Sequence, residues 1–310
     1  MNKPHLTYEQ QVFKLRNEKN LIINDKDLCK EMLCKMGYFS LIGGYKKPFR
    51  DPMTRKYVGN TTFEDILALY SFDQKLRSLV MEYVCAIERK FSNAMSYGFC
   101  EYFGEEQIHY LDPSNYKSKK PKEISKLINI LEYNANTNKE HEYINHQRDT
   151  YHNVPLWVLL HALTFGQISK MYQYVIPQVK SRVCRQFDNI NQRELEQYMK
   201  LLVIFRNVCA HNECLFSYKA YSEIPDTLLH SKLEISTTGG HYDNGKVDLF
   251  AVFIAVRYLL SKSDFIELKR RFLLLIKEYT KKSNRITEEQ LYSYMGFPEK
   301  WKSISRYKKI

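Results

Sequence analysis

The sequence predicts an all-α protein: a helical bundle with a helical extension at its N-terminus and a basic tail at its C-terminus. Three observations carry that expectation. The 310 residues include only 11 glycines and 9 prolines, too few for the turns of a β-sandwich. Apolar residues recur at helical spacing over long stretches, and no glycine or proline interrupts the chain between Phe63 and Gly98. Thr, Asp or Asn stands ahead of the periodic segments, where a helix N-terminus needs an acceptor.

Each element follows in order. Thr7, with Gln10 three residues later, forms a capping box for a helix over 7–19. Asp25 caps a second helix through "KDLCKEMLCKMG", which Gly37 ends. "YFSLIGGYKKPFRDP" contains Gly43-Gly44 and two prolines and reads as a structured loop. Thr61 or Thr62 then starts a long helix, the expected spine. Residues 113–126, "PSNYKSKKPKEISK", read as a basic, exposed connection. Helices are expected at 123–146, 155–176 and 191–211. The Gly-Gly and Asn-Gly signals in "KLEISTTGGHYDNGKVD" point to a small hairpin. Two more helices follow near 247–261 and 263–281, ahead of a basic tail ending "WKSISRYKKI". These elements divide the chain into an N-terminal helical and loop region (1–58), a helical core (59–282) and a tail (283–310).

The 47 Lys and Arg against 35 Asp and Glu give a net charge of +12, which favours a polyanionic partner, most often nucleic acid. The lysines at 117, 119, 120 and 122 could contact phosphate or be a solvated loop. The seven cysteines form no CxxC pair, so neither a zinc site nor any other metal or cofactor is expected. The N-terminus lacks the apolar core of a signal peptide, and the longest apolar run, "VDLFAVFIAVRYLL", is broken by Arg257. A cytoplasmic protein with no membrane partner is expected.

One short stretch, "FRNVCAHNE" at 205–213, departs from the helical pattern. Leu195, Tyr198, Met199, Leu202, Phe205 and Cys209 fall on one apolar face, with Arg206 near its centre. A core-facing guanidinium is costly unless paired. Arg206 could pair with Asp73 or Glu88, line a cleft between helices or subunits, or lie on a helix rotated from this assignment. His211 would point about 140° away from Arg206 on a straight helix. The two can share a site if the helix ends near Ala210, or if two copies face each other across a dimer. Asp73 and Arg77, four apart, are expected to form an intrahelical ion pair.

"FRNVCAH" is similar to the R-x4-6-H signature of the HEPN superfamily of helical proteins that act on nucleic acids, and "RNVCAHNE" resembles the abortive-infection (Abi) proteins of bacteria, most closely the AbiF-type branch. "GYFSLIGGYKKPFRD", "LYSFDQKLRSLVMEYVCAIERKF", "VPLWVLLHALTFGQISKMYQYV" and "FRNVCAHNECLFSYK" occur in the family's order. Cys214 stands where related sequences often have Arg, and His161 where a carboxylate or amide is common. The resemblance implies a HEPN-like bundle, a homodimer, and a composite site in which the Arg and His of two domains meet and cut RNA without metal. It assigns Arg206 to the scissile phosphate, His211 to acid–base work and Asn207 to orientation. It further implies a role in phage defence and a structured noncoding RNA as a regulator. The alternative is a non-catalytic RNA-binding or RNA-sensing module that uses the same motif for RNA or dimer contacts; a purely structural interaction protein comes third.

Overall fold

The structure, a computed structural model, describes residues 4–117 and 121–307. It is all-α, as expected: among the described residues only a two-residue ladder pairs as a sheet. No described helix is long and apolar enough to cross a membrane.

α1 (Tyr8–Phe13) starts on the Thr7–Gln10 capping box. It does not run on to residue 19; it widens into a π turn at Lys14–Glu18, and Asn20 turns the chain at φ 58°. α2 (Lys26–Met36) begins where the Asp25 carboxylate accepts from the Leu28 amide at 2.9 Å, and Gly37 ends it at φ 79°. The segment expected as a loop is more helical than that, with a π turn at Phe39–Gly43 and a 3-10 turn at Lys47–Phe49.

α3 (Phe63–Phe103) is the spine, 41 residues long and capped by Thr62 and Asp65. α4 (Gln107–Leu111), α5 (Pro121–Glu132), α6 (Glu142–Tyr151), α7 (Leu156–Leu159), α8 (Phe165–Tyr174) and α9 (Pro177–Cys184) follow. Two segments expected as single helices are thus broken. After α5 a π turn spans Tyr133–Thr137. There the Arg148 guanidinium takes the carbonyls of Asn134, Ala135 and Asn138, so the helix end is satisfied without another turn. Between α7 and α8, Thr164 and Gln167 build a capping box of their own, which starts a new helix where apolar spacing suggested continuity.

α10 (Gln192–Ala210) is capped by Asn191 and Glu194. α11 (Leu228–Lys232) leads into the expected hairpin, β1 (Thr237–Thr238) and β2 (His241–Tyr242), around Gly239-Gly240. α12 (Leu249–Leu259) is buried on nearly every side. α13 (Lys262–Lys282) and α14 (Glu288–Tyr294) complete the set. The C-terminal segment is folded: Trp301, 1% exposed, sits among Phe253, Phe272, Tyr292 and Phe297.

α9, α13 and α10 pack along α3, and α8 and α12 cover α10. One hydrophobic cluster extends from Val12 to Ile304. Gly98, inside α3, permits a close approach of α9: a Cβ there would lie 3.0 Å from the Val183 backbone nitrogen. Gly98→Ala gains about 1 kcal/mol of helix propensity, but overpacking costs about 1–3 kcal/mol. A lower melting temperature by calorimetry is expected. An unchanged or higher one would show that α9 yields freely.

Candidate active site

The apolar face of α10 is buried as expected, but Arg206 is not at its centre. Leu201, Ile204 and Val208 are buried too, which moves the centre of the face about a quarter turn away and leaves Arg206 at its edge. The Arg206 side chain is 32% exposed, and its Nε lies 3.9 Å from Glu88 Oε2 on α3. Of the two acids considered as partners, the structure therefore selects Glu88. That contact is too long for a hydrogen bond, and Nε has no hydrogen-bond acceptor among the described residues. Burial pushes the Glu88 carboxyl up from its ordinary value, against the pull of Arg206 and Arg89. Burial also raises the neighbouring Cys85 thiol, and Glu88 adds to that shift.

α10 stops at Ala210 and leaves His211 as its capping residue. Asn212 follows at φ 55°. Its amide donates to the Cys209 carbonyl at 3.3 Å, and the Glu213 amide donates to the Val208 carbonyl at 3.0 Å. This is a Schellman termination, with asparagine tolerating the left-handed position. "HNE" is thus a helix end, and it places an exposed His211 at the rim. Asn207 is exposed as well, one turn earlier on the same side. Among the described residues none hydrogen-bonds the His211 or Asn207 side chain. Within one chain the structure brings Asn207 and His211 together on one face, with Arg206 on another.

The segment beyond the motif is anchored deep in the fold. Asp73, fully buried, accepts from the Leu215 amide at 2.9 Å and the Phe216 amide at 2.7 Å. It also accepts from the Tyr45 hydroxyl at 2.6 Å and from Arg77 at 2.6 Å. Arg77, 3% exposed, donates onward to Tyr45 at 2.9 Å and to the Glu213 carbonyl at 3.1 Å. Burial pushes the Asp73 carboxyl up, while the Tyr45 hydroxyl, Arg77 and the two amides pull the other way. The Cys214 thiol donates to the Gly44 carbonyl at 3.4 Å, and a Cβ on Gly44 would stand 3.3 Å from Cys214 Cβ. The expected Asp73–Arg77 pair is therefore present. Its larger role, joining Tyr45 to residues 213–216, goes beyond what the sequence predicts. The one sequence signal for it is an Asp and Arg one turn apart on the face of α3 that also carries Leu69, Leu76 and Val80.

Lys117 and Lys122 are exposed, at the connection into α5 and in its first turn. Neither is hydrogen-bonded or ion-paired to Arg206, Asn207 or His211. Lys119 and Lys120 lie outside the described residues. Among the described residues no group of three His, Cys, Asp or Glu is placed to hold a metal ion. An open cavity of about 900 Å³ between α3 and α7 is lined by Lys90, Asn93, Tyr97 and Trp157 among others.

A family model described as Abi-like protein matches residues 31–217, a span that includes Tyr45, Asp73, Arg77 and the whole of α10. No curated protein and no solved structure matches the chain.

Removing one partner of a buried pair costs about 3–5 kcal/mol, whereas losing one net hydrogen bond costs about 1 kcal/mol. Asp73→Asn is therefore expected to destabilise far more than Tyr45→Phe in urea unfolding. Comparable losses would contradict the central place given to the carboxylate.

Proposed function

Because the chain belongs to the Abi-like protein family, which acts in abortive-infection defence against phage, we propose that it is a HEPN-type ribonuclease that cuts RNA without a metal ion. The observation that carries this reading is the placement of the motif. At the end of a helix whose one face is committed to the core, Asn207 and the capping His211 are exposed and Arg206 is partly open.

Each side chain suits one part of the chemistry. Arg206 offers a planar fork to phosphate oxygens. Histidine is a side chain suited to acid–base work, the role given to His211. Asn207, one turn before it, can hydrogen-bond the imidazole or the RNA. A base removes the proton of a ribose 2′-hydroxyl, whose oxygen attacks phosphorus. The bond from phosphorus to the 5′-oxygen breaks, and an acid protonates that oxygen. The products are a 2′,3′-cyclic phosphate and a 5′-hydroxyl, and DNA, lacking the nucleophile, resists.

Arg206 and His211 point apart in one chain, so the complete site draws them from two copies in a homodimer. The lysines at 117, 119, 120 and 122 are assigned to RNA binding, to the substrate or to a structured regulatory RNA; of these Lys117 and Lys122 are exposed. The seven cysteines are free thiols among the described residues, consistent with action in the cytoplasm. A second reading is a non-catalytic RNA-binding or sensing module. It is favoured by the proximity of Arg206 to Glu88, which leaves the motif unassembled within one chain.

The test is incubation of the purified protein with labelled RNA in EDTA, beside His211→Ala of matched melting temperature. Wild type is expected to leave 2′,3′-cyclic ends, and the variant to be slower by at least about 10²-fold. Products with 5′-phosphate, a requirement for magnesium, or equal rates would refute the mechanism.

A further inference from the structure

Tyr97 and Trp157 face water where the residues beside them are buried. In α7, Leu156 and Leu159 turn into the core, which leaves Trp157 outward and 48% exposed. In α3, Met95, Ser96, Gly98 and Phe99 are buried, while Tyr97 between them is 61% exposed. Both rings line the cavity of about 900 Å³ between α3 and α7. Asn93, one turn before Tyr97 on the same face of α3, and Gln186, just beyond α9, line it as well. Neither ring stacks on another ring or lies under a cation among the described residues, and neither amide side chain is hydrogen-bonded to one of them.

The charged groups of the lining are already partnered. Lys90 donates to the Leu259 carbonyl at 3.1 Å and lies 4.6 Å from the centre of the Phe187 ring. The Glu101 carboxylate is shared by Arg182 and Arg185 at 3.2 and 2.8 Å. Recognition in this cavity therefore falls to uncharged groups: the faces of two rings, and two amides that each offer donors and an acceptor. A single exposed ring on a protein surface needs no explanation, but two unpartnered rings in a concavity of ligand size do. A flat, uncharged ring system with donors and acceptors along its edge matches both sets of groups. Its faces stack on aromatic side chains, and its edge is read by amides.

We propose that this cavity binds a nucleobase, stacked against Trp157 and Tyr97 and hydrogen-bonded at its edge by Asn93 and Gln186. The base belongs to a free nucleotide or to a single strand, and the stacking chemistry is the same for both. Arg206, Asn207 and His211 are not among the lining residues, so the site goes beyond the ribonuclease reading and does not depend on it.

Tryptophan emission reports on the site directly. The chain has 2 tryptophans, and Trp301 is buried, so a base entering the cavity quenches Trp157 alone. The full chain carrying His211→Ala, in which RNA stays intact, is titrated with AMP, with a short oligoadenylate, and with ribose 5-phosphate, which has no base. Emission is expected to fall saturably with a base-bearing ligand and to stay constant with ribose 5-phosphate. Trp157→Phe, which leaves only Trp301 emitting, is expected to abolish the response. Tyr97→Ala is expected to raise the half-saturating concentration at least about fivefold, through loss of a stacking ring, at unchanged melting temperature. Tyr97→Phe is expected to restore it. Quenching by AMP assigns the cavity to free nucleotides; quenching by the oligoadenylate alone assigns it to a base within a strand. No saturable quenching, an equal response to ribose 5-phosphate, or indifference to Tyr97→Ala overturns the proposal. So does an emission that shifts with protein concentration and ignores both base-bearing ligands, which would give this face to a second copy of the chain. RNA cleavage by the wild-type chain decides the ribonuclease reading independently of these results.

Discussion

The Asp73 carboxylate joins three parts of the chain that are far apart in sequence: the 44–45 turn, the middle of α3, and the segment after α10. A buried charge costs several kcal/mol unless its hydrogen-bonding capacity is filled. Here it is filled by a phenol, a guanidinium and two backbone amides. Those donors are available together only when all three segments are in place. The carboxylate therefore couples their order, and the end of α10 inherits that order.

The consequences reach the surface. Because residues 213–216 are tied to α3, the Schellman turn at Asn212 has a fixed exit, and His211 occupies a set place at the rim. Because Tyr45 draws on the same carboxylate, the 44–45 turn has a set place beside the motif. Arg206 is held differently, at the edge of the α10 core face and opposite Glu88. Arg206 and His211 thus lie on different sides of the end of one helix. The ribonuclease reading proposed above therefore calls on a second copy of the chain to bring them to one phosphate.

Local chemistry makes much of this legible in the sequence. Thr7 with Gln10, Asp25, Gly37 and Thr62 mark helix ends through bonds to backbone groups a few residues away. The Asp73–Arg77 spacing identifies an ion pair, and Gly239-Gly240 a hairpin. The breaks after α5 and before α8 are hidden because apolar spacing continues across them, while the groups that end the helices include the more distant Arg148. The helical wheel puts Arg206 too deep because Leu201, Ile204 and Val208 extend the buried face on its far side. The Asp73 network is hidden for a simpler reason: Leu215 lies 142 residues away along the chain, beyond the reach of any helical or turn pattern.

Amide hydrogen exchange at Leu215 and Phe216 tests the coupling through Asp73 without intermediaries. Both amides donate to a fully buried carboxylate, although they lie in an irregular segment just after the candidate active site. If that carboxylate fixes the end of α10, the two amides exchange only through global unfolding, as slowly as amides in the middle of α3. Exchange at the rate of an ordinary surface loop would contradict the coupling, because the motif would then end in a segment that opens by itself.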